Sequence, residues 1–92
     1  MHLEIVTPEE ILLSCEVTSV VVPGVNGAFE MLDNHAPIVS LLQEGDVKIQ
    51  GDVVLEERIE QKFTRDENKH LRIKIKGGVV EMKDNKAIVL ID

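Results

Sequence analysis

The chain has 92 residues, 43% of them hydrophobic, a formal charge of −7 and one cysteine. That length leaves room for one domain, and the acidic balance argues against nucleic acid, which needs a surplus of Lys and Arg on one face. A lone cysteine excludes an intrachain disulfide and makes a reducing compartment the natural setting, while the apolar runs are too short to span a membrane.

Phe29 and Phe63 are the only aromatic residues, so the core must come from Val, Ile and Leu, whose stiff side chains suit a pleated sheet. His2 to Val6 alternates as a strand and meets a turn at Thr7-Pro8-Glu9-Glu10. Ile11 to Ser14 restarts the apolar pattern. Glu16 to Val22 reads as a strand whose valines, Val20, Val21 and Val22, are expected to be covered on both faces. Pro23-Gly24 is expected to stop it, with a second bend at Gly27.

Ala28 to Leu32 is a short apolar run closed by the turn Asp33-Asn34, and Ile38 to Leu42 is another. After Gly45, Val47 and Ile49 share a face. Leu71, Ile73 and Ile75 alternate strictly with Arg72, Lys74 and Lys76, the pattern of a half-buried strand. Gly77-Gly78 bends the backbone before Val79 to Lys83, Asp84-Asn85 turns it, and Lys86 to Ile91 closes as a nearly continuous apolar strand. Short strands with turn residues between them predict an all-β, antiparallel β-sandwich of about eight to ten strands over residues 1–92.

Residues 51–70 admit two descriptions. Val53, Leu55, Ile59 and Phe63 fall at odd positions, as a strand requires, and an extended hairpin arm or insertion is the first expectation. Leu55, Ile59 and Phe63 also fall at i, i+4, i+8 in a segment of strong helix formers, so a helical tip is the alternative. Asp66 to Lys69 is a polar turn.

Catalytic chemistry has little to stand on. His2, His35 and His70 are far apart, with no Cys or carboxylate at metal-ligand spacing. Cys15 sits in a predicted strand as a structural thiol. Glu56, Glu57, Glu60, Asp66 and Glu67 read as a solvated face. Gly24-Val25-Asn26-Gly27 lacks the Lys-Ser/Thr of a phosphate loop.

The informative stretch runs from Val20 to Gly45. Taken singly its residues are structural turns: Pro23 lacks an N–H, Gly24 and Gly27 permit a tight loop that projects Val25, Asn26 and Ala28, and Pro37 biases Ala36 away from helix. As an ordered set, Val20, Val22, Pro23, Gly24, Gly27, Leu32, His35-Ala36-Pro37, Leu42 and Gly45 resemble the N-terminal β-sandwich of the bacterial F-type ATP synthase epsilon subunit, called delta in mitochondria. The opening Leu3 to Pro8 and the close from Gly77 to Glu81, Asn85 and Val89 to Asp92 are similar as well.

The resemblance implies a non-catalytic subunit of the central rotor stalk that needs no cofactor or metal. It would link the gamma subunit to the membrane c-ring and so couple proton- or sodium-driven rotation to ATP synthesis. Val25, Asn26, Gly27, Ala28 and Phe29 would face the c-ring, and His35 and Ser40 would lie toward gamma. Pro23, Gly24, Pro37, Gly45, Gly77 and Gly78 would be structural turns. The implied location is the cytoplasmic face of a bacterial inner membrane, peripheral and held only through the complex. Phe29 is expected either as an exposed anchor or as a core residue.

Three departures stand out. Ala28 and Glu30 replace what is often Glu and Gly, residues 51–70 form a longer stretch than usual, and the sequence stops at Asp92, where many members continue into a helical pair that restrains hydrolysis or binds ATP. The chain is therefore expected to work without that device. The rival expectations are a free-standing β-sandwich adaptor or ligand-binding module and, last, a small enzyme using Cys15 or His35.

Overall fold

The alternation at the start of the chain becomes β1 (His2–Val6) in a computed structural model that describes residues 1–68 and 70–92. Lys69, the last residue of the expected polar turn, lies outside the described residues. Leu3 and Ile5 of β1 point inward and are fully buried. Thr7 then closes the turn: its Oγ1 accepts from the N–H groups of Glu9 and Glu10 at 3.2 and 3.1 Å, and its own N–H donates to the Glu10 carbonyl. A hydroxyl bonding backbone two and three residues on is how such residues initiate turns. Strand β2 (Ile11–Glu16) returns antiparallel to β1, with a bulge between Ile5 and Val6 that leaves Leu12 as the extra residue.

The expected single strand over 16–22 is divided. Val17 donates to the Met1 carbonyl at 2.9 Å, beside β1, whereas Thr18 donates to the Gln50 carbonyl at 2.7 Å, so the backbone changes sheets between these two residues. Beyond the crossing, β3 (Ser19–Gly24) runs through Pro23 and Gly24 rather than stopping before them. Val20 and Val22 are fully buried, but Val21 is only half-buried on the outer face, so cover on both faces does not hold for it.

The remaining strands are β4 (Gly27–Leu32), β5 (Ile38–Leu42), β6 (Gly45–Gln50), the two-residue β7 (Thr64–Arg65), β8 (Leu71–Ile75), β9 (Gly78–Lys83) and β10 (Lys86–Ile91), with one helical turn, α1 (Glu57–Glu60). Their order is β2-β1-β10-β9-β5-β3-β6-β8-β7, with β4 on the other side of β3. β5 and β3 are in register at a single pair, Gly24 with Leu42. The sheet thus folds into two halves, β2-β1-β10-β9-β5 and β4-β3-β6-β8-β7, hinged at that corner. The architecture is the expected β-sandwich with one topological difference: β1 and β10 pair in parallel. A parallel neighbour needs a long crossover, and here the whole chain between them supplies it.

The core is aliphatic, as the composition requires. Leu3, Ile5, Val20, Val22, Met31, Val47, Val80, Ala87 and Val89 are fully buried between the halves, and each large side chain so buried contributes about 1.5–3 kcal/mol. Residues 51–68 connect β6 to β8, which do pair as a hairpin, but the connector is not an extended arm. Val53, Ile59 and Phe63 are buried in the common core and Leu55 packs beside it. The helical spacing prevails for one turn because it puts Ile59 and Phe63 on the core side while the glutamates face water.

Asp66 departs from the solvated face assigned to its neighbours. Its side chain is 17% exposed, and Oδ1 accepts from the N–H groups of Asn68 and His70 at 2.9 and 3.0 Å. Burial pushes this carboxyl up, yet the His70 and Asn68 N–H groups, with the His70 charge and a hydrogen bond from Arg72, outweigh that and hold it below the ordinary carboxylate range.

Candidate functional site

Pro23, Gly24, Gly45, Gly77 and Gly78 gather at one end of the sandwich. There the Gln43 N–H donates to the Pro23 carbonyl at 2.8 Å, Leu42 pairs with Gly78, and Gly45 packs closely on the Pro23 ring. The β3–β4 hairpin projects from this corner. Val25, Asn26, Gly27 and Ala28 are exposed at its tip, Val25 by 46%. The tip is stapled to the adjacent strand, since the Val25 N–H donates to the Leu41 carbonyl at 3.0 Å. Phe29 lies just inside the tip, half-buried at the margin of the core. A side chain at Gly24 would meet the Phe29 ring at 2.9 Å and the Gly27 carbonyl at 2.8 Å, so the glycine makes room for the ring that braces the hairpin.

His35 and Pro37 are elsewhere. They precede β5 at its far end, where the Asn34 N–H donates to Asn85 Oδ1 at 2.7 Å. The His35 N–H donates to the Leu32 carbonyl at 3.1 Å, and its Nδ1–H donates to the Ala36 carbonyl at 2.7 Å. The imidazole is therefore half-buried and locally bonded. Ser40 sits between Val39 and Leu41, so alternation turns it to the opposite side of β5 from them. Its hydroxyl donates to the Leu41 carbonyl at 3.2 Å. The loop 25–29, His35 and Ser40 thus do not form one cluster; they mark the two ends and the inner side of β5.

The outer faces of the two halves differ in kind. The outer face of β6 and β8 presents Asp46, Lys48, Arg72 and Lys74, with Arg72 within 3.5 Å of both Asp46 and Asp66. The outer face of the other half carries one apolar row beside charged ones. Leu41 pairs with Val79, Val79 with Leu90, Leu90 with Val6 and Val6 with Ile11. These five residues make one cross-strand row over five strands, and Leu41 is 62%, Leu90 51% and Ile11 53% exposed. The next row begins with Val39, 69% exposed, and continues through Glu81 and Ile88 to Glu4. Isolated surface leucines are ordinary, whereas a contiguous apolar row marks a contact surface.

Sequence reasoning does not single out this row, because apolar runs such as Ile38 to Leu42 and Lys86 to Ile91 do not say which of their side chains face outward. Two signals are present: Ala87 to Ile91 is apolar at successive positions, which a strand buried on one face does not need, and Val39 and Leu41 are apolar although they alternate with Ile38, Ser40 and Leu42, so both faces of β5 carry apolar residues.

Comparison with known proteins agrees with this geometry. The family model for the β-sandwich domain of the ATP synthase delta/epsilon chain matches residues 1–92. The ATP synthase epsilon chain of Chlorobaculum tepidum is 39% identical over 96% of this chain and 84% of its own length. The chain belongs to the ATP synthase delta/epsilon family. It is accordingly related to the epsilon subunit of ATP synthase. Other epsilon chains are longer: that of Leptospira borgpetersenii is 38% identical over the whole of this chain but only 61% of its own length. The same fold occurs in the central stalk and c-ring structure of the Tetrahymena thermophila mitochondrial ATP synthase, with a TM-score of 0.73 at 13% identity over 98% of this chain and 61% of that one. A Euglena gracilis mitochondrial ATP synthase structure gives 0.73 at 17% identity, over 97% of this chain and 48% of that one.

Proposed function

We propose that the chain joins the gamma subunit to the membrane c-ring at the cytoplasmic face of a bacterial inner membrane, coupling ion-driven rotation to ATP synthesis. The cross-strand apolar row Leu41–Val79–Leu90–Val6–Ile11 supports this as the gamma-facing surface, because a joint under torque needs broad contact on a backbone that does not yield locally. Val39 and Leu41 are the anchors of β5 in this arrangement. Ser40 faces the other way, and His35 lies at the rim. The β3–β4 tip, Val25 to Ala28 with Phe29 bracing it, is the c-ring contact.

The stapling of Val25 to Leu41 lets both contacts share one rigid corner, so that force entering at the tip reaches the apolar face without bending the hairpin. In this role the domain transmits force.

The test is calorimetric titration of the chain with purified gamma subunit, and separately its co-sedimentation with detergent-purified c-ring. Leu41→Asp should abolish the first and spare the second, and Val25→Asp with Asn26→Asp should do the reverse. Failure of the folded wild-type chain to bind either component would overturn the proposal in favour of a free-standing adaptor.

A further inference from the structure

Strand β2 is the outermost strand of its half: among the described residues it pairs with β1 and with no strand on its other side. A two-sided strand uses alternate backbone groups on each edge, so β2 carries a set directed away from β1. Among the described residues no backbone hydrogen bond joins Ile11–Glu16 to the 51–68 connector. Proteins blunt such edges with charge, proline or cover, and the connector approaches this one without pairing to it. Between them runs a groove of about 380 Å³, lined on one side by five consecutive residues, Ile11 to Cys15, and on the other by Val54, Leu55, Glu56, Arg58 and Ile59. Lining by consecutive residues means that the groove follows the strand's edge and not one of its faces.

Two further observations define what fits. Val54 is 95% exposed and Ile11 53% exposed, so the walls offer apolar contact that the chain's own core does not use. The surroundings are strongly acidic: residues 9–16 and 52–62 hold seven carboxylates against two cations, Arg58 and Lys62. Both cations already lie against Glu10, and Arg58 Nε also donates to Glu56 Oε2 at 3.2 Å. The Glu10 carboxyl is held below the usual range by the Arg58 hydrogen bond, which keeps it charged and keeps the connector tied to the β1–β2 turn.

We propose that the free edge of β2 is a docking site for an extended segment of another protein in which apolar and basic residues alternate. The segment adds a strand to the sheet, places its apolar side chains against Val54, Leu55 and Ile11, and presents its Lys or Arg side chains to Glu16, Glu56 and the neighbouring acids. Main-chain hydrogen bonds supply affinity, and the alternate side chains supply selectivity. Charge complementarity raises the association rate and rejects acidic competitors. This surface lies at the edge of the sheet, separate from the c-ring loop, and shares only Ile11 with the apolar row proposed to face gamma.

The test titrates the isotope-labelled 92-residue chain with the capped heptapeptide Lys-Val-Lys-Val-Lys-Val-Lys and follows amide shifts. Shifts confined to Ile11–Glu16 and residues 54–59 are expected. A version N-methylated at alternate residues, which cannot pair along the edge, should bind at least about tenfold more weakly. A version with Glu in place of Lys should not bind, and Glu56→Lys should weaken the basic peptide while leaving the fold's spectrum intact. Cys15, which lines the groove, should be shielded from alkylation by the basic peptide. The proposal is overturned by equal binding of the N-methylated peptide, by shifts on the apolar outer face instead of the groove, by no shift at millimolar peptide, or by concentration-dependent dimerisation through β2.

Discussion

Replacing Val39 and Leu41 together by Ser tests the apolar face at its most exposed strand. The two side chains retain 69% and 62% of their accessible surface in the free chain. Full burial of such a side chain is worth about 1.5–3 kcal/mol, so covering the exposed remainder contributes roughly 1–2 kcal/mol each and about 2–4 kcal/mol together. The gamma subunit should bind the double variant about 30- to 700-fold more weakly, at tenfold per 1.4 kcal/mol. Stability should move by less than about 0.5 kcal/mol, the usual range for solvated positions away from caps and turns. Ser40→Ala is the matched control on the opposite side of the same strand and should leave affinity within about twofold. Calorimetric titration gives affinities and thermal unfolding gives stabilities. Undiminished binding by the double variant, or a loss reproduced by Ser40→Ala, would refute the assignment of β5's outer side to gamma.

A Cβ at Gly78 would sit 2.1 Å from the Leu90 carbonyl oxygen, at φ +157°. Gly78→Ala must therefore displace the start of the β9–β10 ladder, costing about 2–4 kcal/mol and lowering Tm by roughly 10–25 °C. Gly77→Ala, whose nearest atoms are 3.2 and 3.4 Å away, should cost far less, and equal effects would contradict the packing. Burial and then the Glu16 charge push the Cys15 thiol up. Its iodoacetamide reaction should thus be several-fold slower than a free cysteine peptide's at pH 7.5 and still be accelerating above about pH 9. Because the folded value is the higher one, the stabilisation is intact at neutral pH and is lost as pH rises through the thiol's own range. Asp66 has the opposite sign: its folded value lies below the ordinary one, so its contribution is present above about pH 4 and is lost as pH falls through the lower folded value. Amide exchange at Asn68 and His70 should accelerate over that fall, and Asp66→Ala should remove the pH dependence; a profile unchanged by the substitution would refute it.

Much of the fold was legible wherever one face of a strand was buried and the other wet. Leu71, Ile73 and Ile75 show this most plainly, buried to 2, 5 and 3% exposure with charged residues between them. The bounds of β5 and β10 followed from turn residues on either side. Legibility failed where tertiary geometry outweighed local pattern. Nothing in the run from Glu16 to Val22 marks the change of sheet between Val17 and Thr18, because that break is set by the partners Met1 and Gln50. Pro23 was read as a terminator, yet a proline is tolerated in a strand where its missing donor faces no partner. The parallel pairing of β1 with β10 is likewise a long-range choice, made by the ladder from His2 with Lys86 to Val6 with Leu90.

The site divides along the same line. The ordered turn residues identified the family because backbone geometry constrains Pro23, Gly24 and Gly45 one by one. The proposed gamma-facing side chains have no such individual constraint. Val39, Val79 and Leu90 satisfy every rule for a core strand, and their outward direction depends on which register each strand adopts; a slip of one residue would exchange them with Ser40, Val80 and Val89. What fixes the register is the inner row, where Val80 and Val89 are fully buried opposite one another. The core thus determines the contact face indirectly: filling the interior with one parity of β9 and β10 forces the other parity outward. That outward set includes one continuous apolar row in this half of the sandwich and is charged on β6 and β8, so the domain has a defined side on which to grip a partner.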